Sequence, residues 1–365
     1  MQTNKNLKVG LVGCGYIARQ VHIPLWKRAK DAKLVAVCDV DKALASKTAE
    51  QFGILKSYSD LQEMLSSERL DLLDICVPPQ AHASVMMQAL NAGINCMVEK
   101  PFTATVDEAD KVMELAEKKG LKLFVIHNHS FVPAARWLRN IVNQGKLGDI
   151  TLLETHYFAP LSAERYADPK HWIHSLPGGI LNSEILPHLL MLVLEYMDDV
   201  TEAQISVAKA SKASYIKADE LNIILTSSTG TVARVGLSFN STVPVHSMTV
   251  TGSKGAAFLD FFTQATVFHR LPRFGQTDEL TLDKYTRGKW AISDIWQRCV
   301  NFIRVSYSVL SNKYAMRTEG HRYLMDLAIQ DLLNHGSYPV DISKGREVVR
   351  LVELIGKTKL YPMDA

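Results

Sequence analysis

The chain has 365 residues, 47% of them hydrophobic and 22% charged, a mixture that excludes wholesale disorder and leaves ample material for buried cores. Its 41 Lys and Arg against 38 Asp and Glu leave a formal charge of +3, which nominates no nucleic acid or other polyanion as partner. Length alone asks for about two or three domains.

The five cysteines, Cys14, Cys38, Cys76, Cys96 and Cys299, are scattered, odd in number and without a CxxC pair. Neither a disulfide framework nor a zinc site is expected, and a reducing cytoplasm fits them. Residues 1–5 lead into a strand-like run in place of a signal-peptide apolar region, and no stretch reaches the apolar length of a bilayer span.

The first third alternates short apolar runs with amphipathic stretches. Strands are expected at 8–12, 34–38, 72–77, 95–98 and 122–126, with helices at 16–28, 42–52, 59–65, 81–92 and 106–119 between them. This βαβα rhythm predicts a parallel sheet covered by helices on both faces. Several helices end at glycine, as at Gly93 and Gly120.

Between the first strand and the first helix stands Gly13-Cys14-Gly15-Tyr16-Ile17-Ala18, a G-x-G-x-x-A loop. Gly13 permits a tight turn, Gly15 lets the backbone approach a pyrophosphate, and small Ala18 lets the helix pack closely with its N-terminus toward the anion. The second strand ends at Asp39, roughly 20 residues beyond the loop, where a carboxylate accepts hydrogen bonds from ribose hydroxyls. A 2′-phosphate would be repelled there, and Val40 and Asp41 follow in place of a basic residue. NAD is therefore expected over NADP.

After about His127 the rhythm changes. A helix at 133–144 is followed by strands at 149–158, 202–208, 221–227 and 231–238 without helices between them, which predicts a mostly antiparallel sheet in an α+β second domain. The expected division is residues 1–127, a dinucleotide-binding domain, and 128–365, a substrate-binding and oligomerisation domain.

Further landmarks occur in order: Pro78-Pro79-Gln80-Ala81-His82, Glu99-Lys100-Pro101, Gly145-Lys146-Leu147-Gly148, Pro177-Gly178-Gly179 with His188, Thr251-Gly252-Ser253-Lys254-Gly255 and Tyr338-Pro339. With the N-terminal loop, they make the chain resemble the Gfo/Idh/MocA family of NAD(P)-dependent oxidoreductases. The resemblance implies a Rossmann domain followed by an α+β domain whose large, mostly antiparallel sheet often forms a subunit interface, so that a homodimer or homotetramer is expected. It also implies hydride transfer between nicotinamide and a carbinol or carbonyl of a sugar, polyol or sugar derivative. Pro78, His82, Glu99 and Lys100 join Gly13, Gly15, Tyr16, Ile17, Ala18 and Asp39 as expected cofactor-binding residues.

Oxidising an alcohol requires a base near the hydroxyl and a positive group to stabilise the developing alkoxide. His188 and Lys100 can supply them, and the resemblance implies that the lysine meets substrate and cofactor. Pro187 restricts regular helix to begin no earlier than about Glu184, which puts His188 near a helix N-terminus, where the macrodipole disfavours imidazolium. Glu184 pulls the other way if it pairs with the ring, or it caps the helix. The family usually has Asp where Glu184 stands, Gly at Leu186 and often Asp at Met191, so this pocket is expected to be reshaped. Ser130 stands where the family commonly has Arg, which argues against a strongly anionic substrate group.

Asn128 and Trp172 are expected to line the substrate, although packing is an equal use for the indole. No metal motif is read from the histidines and carboxylates here. From 292 to 310 apolar residues recur at helical spacing with basic flanks. Covering a core or subunit interface is the expected use, with a membrane surface as the lesser alternative. Two other functions remain open: an NAD-using glycosidase- or lyase-like enzyme with transient oxidation, and a non-catalytic dinucleotide-binding regulator.

Overall fold

The computed structural model describes residues 6–161, 167–170, 174, 179–181, 185–270, 315–333 and 336–357, with positions 288, 291–292, 295–296, 299–300 and 303. They form two compact units: Met1–Asn128 with Gly320–Glu353, and His129–Glu319 with Leu354–Ala365.

The first unit is built on six parallel strands, β1 (Leu7–Val12), β2 (Ala32–Cys38), β3 (Lys56–Tyr58), β4 (Leu72–Ile75), β5 (Asn95–Glu99) and β6 (Leu123–Ile126), in the order β3-β2-β1-β4-β5-β6. All four β4 residues are buried, as a strand covered on both faces requires. The winding reverses at β1, between β2 and β4, and open α/β sheets bind ligands at the strand ends beside such a reversal. Helices α1 (Ile23–Trp26), α2 (Lys42–Phe52), α3 (Leu61–Ser67), α4 (Pro79–Asn91) and α5 (Val106–Lys119) make the crossovers. Their ends are locally encoded. Asp41 accepts from the Ala43 and Leu44 amides, and Thr105 with Glu108 forms a reciprocal capping box, each cap contributing about 1 kcal/mol.

The helix expected at 16–28 is not uniform. Tyr16 and Ile17 are α-helical, Ala18–His22 is a π-helical turn, and α-helix resumes at Ile23. Pro24 carries no N–H for the Gln20 carbonyl and its ring crowds that oxygen, so the wider turn relieves a conflict that regular α-helix would create.

The tail of the chain returns to this unit. Helix α8 (Ala315–Leu332) places Asp331 2.9 Å from Lys122 Nζ, and the Tyr338 hydroxyl donates to the Val125 carbonyl at 2.8 Å. From α9 (Ile342–Lys357), Arg346 reaches both Asp110 oxygens and Glu353 takes the Val106 amide.

The second unit carries a seven-stranded sheet of β7 (Ile150–Pro160), β8 (Val200–Ala208), β9 (Glu220–Ser227), β10 (Val232–Ser238), β11 (Asn240–Gly252), β12 (Gly255–Asp260) and β13 (Ala265–Arg270), ordered β13-β12-β11-β7-β10-β9-β8. Every neighbouring pair is antiparallel except β7 with β10. Helices α6 (Pro133–Asn143) and α7 (Leu186–Leu194) belong to this unit. All nine residues of α7 are buried, and it packs on β7 and β10.

Within the predicted 292–310 helix, the described positions are helical, and Ile292, Ile295, Trp296 and Ile303 are exposed. Among the described residues, no helix is long and apolar enough to cross a membrane.

Candidate functional site

The glycine loop leaves β1 at Gly13, whose amide donates to the Cys38 carbonyl. Its φ is +90°, and a Cβ would lie 2.6 Å from the Cys76 carbonyl oxygen, so only glycine fits. At Gly15 an added Cβ would have no neighbour within 4 Å. One glycine thus serves the fold, and the other leaves open backbone of the kind a pyrophosphate approaches. The Cys14 amide donates to Asp39 Oδ2 at 2.7 Å and the Asp41 amide to Oδ1 at 2.9 Å. The Asp39 carboxylate is thereby fixed at the end of β2. Tyr16 is exposed, Ile17 half-buried and Ala18 buried. This open loop and fixed carboxylate fit the phosphates and ribose of a dinucleotide.

Beyond β4, Pro78 is the N-cap of α4 and His82 sits in its first turns, fully buried. His82 Nδ1 lies 2.8 Å from the Pro101 carbonyl oxygen and Nε2 3.0 Å from that of Val77. The ring joins the turns after β4 and β5, and burial lowers its basicity despite these two oxygens.

Glu99 closes β5 and is buried; Lys100, half-buried, follows it. Glu99 Oε1 accepts from His22 Nε2 at 2.9 Å and His321 Nε2 at 3.2 Å, and Oε2 takes the Lys100 backbone amide at 3.2 Å. Burial pushes the Glu99 carboxyl upward, but the two imidazoles outweigh it and hold the group well below the usual carboxylate range. Behind them, His22 Nδ1 meets Asp74 Oδ2 at 2.8 Å, and Trp26 Nε1 donates to the same oxygen at 2.6 Å. His127 is buried nearby with neither ring nitrogen partnered among the described atoms, and burial pushes its pKa down to about 4. Asn128 is also buried.

In the second unit, His188 lies in the first turn of α7, as the Pro187 argument predicts. Its ring stacks on His129 with centroids 3.7 Å apart and planes 11° from parallel. His246 tilts toward His129 at 5.0 Å and stacks on Phe261 at 4.4 Å; burial pushes its pKa down to about 3. Glu184 and Trp172 lie outside the described residues.

The structure therefore gathers the loop glycines with Asp39, and Lys100 with Glu99, in the first unit, and sets His188 against His129 in the second. Sequence reasoning missed His22, Asp74, His321 and His246. A signal existed for Asp74: a carboxylate inside the wholly buried strand Leu72-Leu73-Asp74-Ile75 must have a partner. His22, Asp74 and Cys76 form one group of metal-ligand types, and His22, Glu99 and His321 another. The sequence showed neither, because the members lie up to 299 positions apart, from residue 22 to residue 321.

Residues 7–127 match a family described as "Oxidoreductase family, NAD-binding Rossmann fold", and residues 135–258 match one described as "GFO/IDH/MocA C-terminal domain". Among curated proteins, the chain is similar to D-apiose dehydrogenase of Paraburkholderia graminis, 33% identical over 146 residues that cover 40% of this chain and 39% of that one. It is also similar to D-glucoside 3-dehydrogenase of Escherichia coli, 34% identical over 148 residues, 40% of this chain and 42% of that one. These matches span about two fifths of either relative. The fold resembles the WlbA dehydrogenase from Bordetella pertussis, solved with NADH and UDP-GlcNAcA, with a TM-score of 0.75 at 19% identity over 97% of this chain and 95% of that one. An oxidoreductase from Agrobacterium radiobacter, solved with NAD+, L-tartaric acid and magnesium, gives 0.74 at 18% identity over 95% and 94%.

Proposed function

Because the chain belongs to the GFO/IDH/MocA oxidoreductase family, we propose that it moves a hydride between a nicotinamide dinucleotide and the secondary hydroxyl or ketone of a sugar, polyol or sugar derivative. NAD is the cofactor in preference to NADP. The observation that carries this reading is the Asp39 carboxylate, held by the Cys14 and Asp41 amides, which suits ribose hydroxyls and repels a 2′-phosphate. The sugar class is supported by the names of the two curated relatives, a D-apiose and a D-glucoside dehydrogenase.

When bound, the nicotinamide supplies the hydride-accepting carbon. The backbone from Gly13 through Ala18 holds the pyrophosphate, with Tyr16 and Ile17 in the same turn. Neutral His188, in the first turn of α7 and stacked on His129, takes the hydroxyl proton on a ring nitrogen. The Lys100 ammonium stabilises the negative charge that develops on the oxygen. Glu184 supports the proton transfer, and Asn128 and Trp172 meet the substrate. A cytoplasmic homodimer or homotetramer is the proposed assembly.

Initial rates with NAD+ and NADP+ over a panel of aldoses, glycosides, inositols and nucleotide-sugars test the reading. It expects reduced nicotinamide to accumulate with at least one member, faster with NAD+. Faster turnover with NADP+ would remove the cofactor assignment, and no reduced nicotinamide with any member would remove the reaction.

A further inference from the structure

The buried histidine His22 reaches two carboxylates from two different strands, Asp74 of β4 and Glu99 of β5. With both carboxylates ionised, each ring nitrogen donates to one of them, Nδ1 to Asp74 and Nε2 to Glu99. Burial opposes the imidazolium charge, yet Asp74 holds the imidazole well above its ordinary range. His321 donates from Nε2 to the same Glu99 oxygen and is held neutral by burial. Cys76, 3.9 Å from Asp74 Oδ1, stays a thiol, because burial pushes its pKa up to about 12. Lys100, His127, His82 and Tyr338 are further titratable groups around Glu99. His22 also ends the π-helical turn that Pro24 imposes, which places its ring between β4 and β5.

Resting on the reading in which Lys100 acts on the substrate oxygen, we propose that His22 is a positioning residue: bridging Asp74 and Glu99, and joined on Glu99 by His321, it clamps the carboxylate whose other oxygen holds the Lys100 amide, and so sets the backbone that carries the lysine. The clamp joins four parts of the chain, the turn after the glycine loop, β4, the end of β5 and helix α8. Removing one donor loosens the hold on Glu99 Oε1 and with it the acceptor of the Lys100 amide, while the glycine loop and Asp39 keep their own hydrogen bonds.

Two variants test this. His22→Gln keeps one amide donor, and His321→Leu removes one donor from Glu99 and leaves His22 in place. In folded protein, both are expected to lower kcat on the order of 10–100-fold with the KM for NAD+ nearly unchanged, and to move the resonance and titration midpoint of 13C-methylated Lys100, assigned by its loss in Lys100→Arg. Nitrogen NMR of the wild-type protein is expected to show both His22 ring nitrogens protonated at neutral pH, above the range of an ordinary imidazole. An unmoved Lys100 signal with unchanged kcat in both variants would overturn the proposal. So would a neutral His22 at neutral pH, or stoichiometric divalent metal in the purified protein, since a cation would then take the place of the His22 and His321 protons. The NMR measurements need no substrate, so a moved Lys100 signal in a protein that oxidises nothing would sink the functional reading and keep the clamp.

Discussion

The Cys14 amide, between the two loop glycines, donates to Asp39 Oδ2 at 2.7 Å, so the carboxylate proposed to read the ribose is also a strut of the glycine loop. Asparagine at position 39 would present an N–H to one of the two amides that aspartate now accepts. Asp39→Asn is expected to weaken NADH binding and to cut the preference for NAD+ over NADP+ at least about tenfold, roughly 1.4 kcal/mol. Fluorescence titration with both reduced cofactors measures it. An unchanged preference would show that Asp39 does not read the ribose.

The two loop glycines should respond differently to the same substitution. Gly13→Ala forces a Cβ against the Cys76 carbonyl and strains a positive φ, so the melting temperature should fall sharply. Gly15→Ala meets nothing in the protein, so the melting temperature should be nearly unchanged while NADH affinity drops. Scanning calorimetry with and without NADH separates the two outcomes. Equal melting temperatures for the two variants would contradict the division of labour.

Stability should fall on mild acidification because His127 and His246 are buried neutral, with pKa values near 4 and 3 against 6.5 unfolded. The unfolded chain binds their protons first, so stability present above pH 6.5 is lost as pH falls toward the folded values. At pH 5 the loss is about 2 kcal/mol for each group. His22 runs the other way: its raised folded value contributes below pH 6.5 and fades as pH rises through that value. Urea unfolding at pH 7.5 and 5 should show the acid loss, reduced in His246→Phe. A His246→Phe loss as large as wild type would assign the sensitivity elsewhere.

Arg139 Nε donates to Glu195 Oε1 at 2.6 Å, Nη2 holds the Ser130 carbonyl, and the guanidinium lies 4.2 Å over the Phe131 ring. Burial raises the Glu195 carboxyl even against this arginine. Arg139→Met should cost about 3 kcal/mol by leaving Glu195 unpaired, whereas Arg139→Met with Glu195→Met should recover much of it. Denaturant unfolding of the three variants completes the cycle. A double variant no more stable than the single one would indicate that the arginine matters through Ser130 and Phe131.

The first sheet was legible because apolar runs and glycine-ended helices repeat at a regular interval. β3 escaped because its three edge residues, exposed Lys56 and Ser57 and half-buried Tyr58, carry no apolar alternation. In the second unit strand type was readable but neighbour relations were not: β10 follows β9 in sequence yet also lies parallel to β7, and periodicity cannot show a pairing across some 80 residues. β11 is interrupted between Asn240 and Val245, where Ser241, Thr242 and Pro244 mask its pattern. Local motifs pointed to the loop, Asp39, Lys100 and His188 as candidates. The His22 cluster stayed hidden because its members come from four separate elements and only the fold unites them.

The most direct test of the hydride-transfer claim is mass spectrometry of the cofactor after a single turnover with NAD+ and a substrate deuterated at the reacting carbon. The account predicts one deuterium on the nicotinamide ring in the wild-type protein and almost none over the same interval in Lys100→Ala that still binds NADH. Product formed without deuterium reaching the nicotinamide, or full transfer by the Lys100→Ala protein, would contradict it.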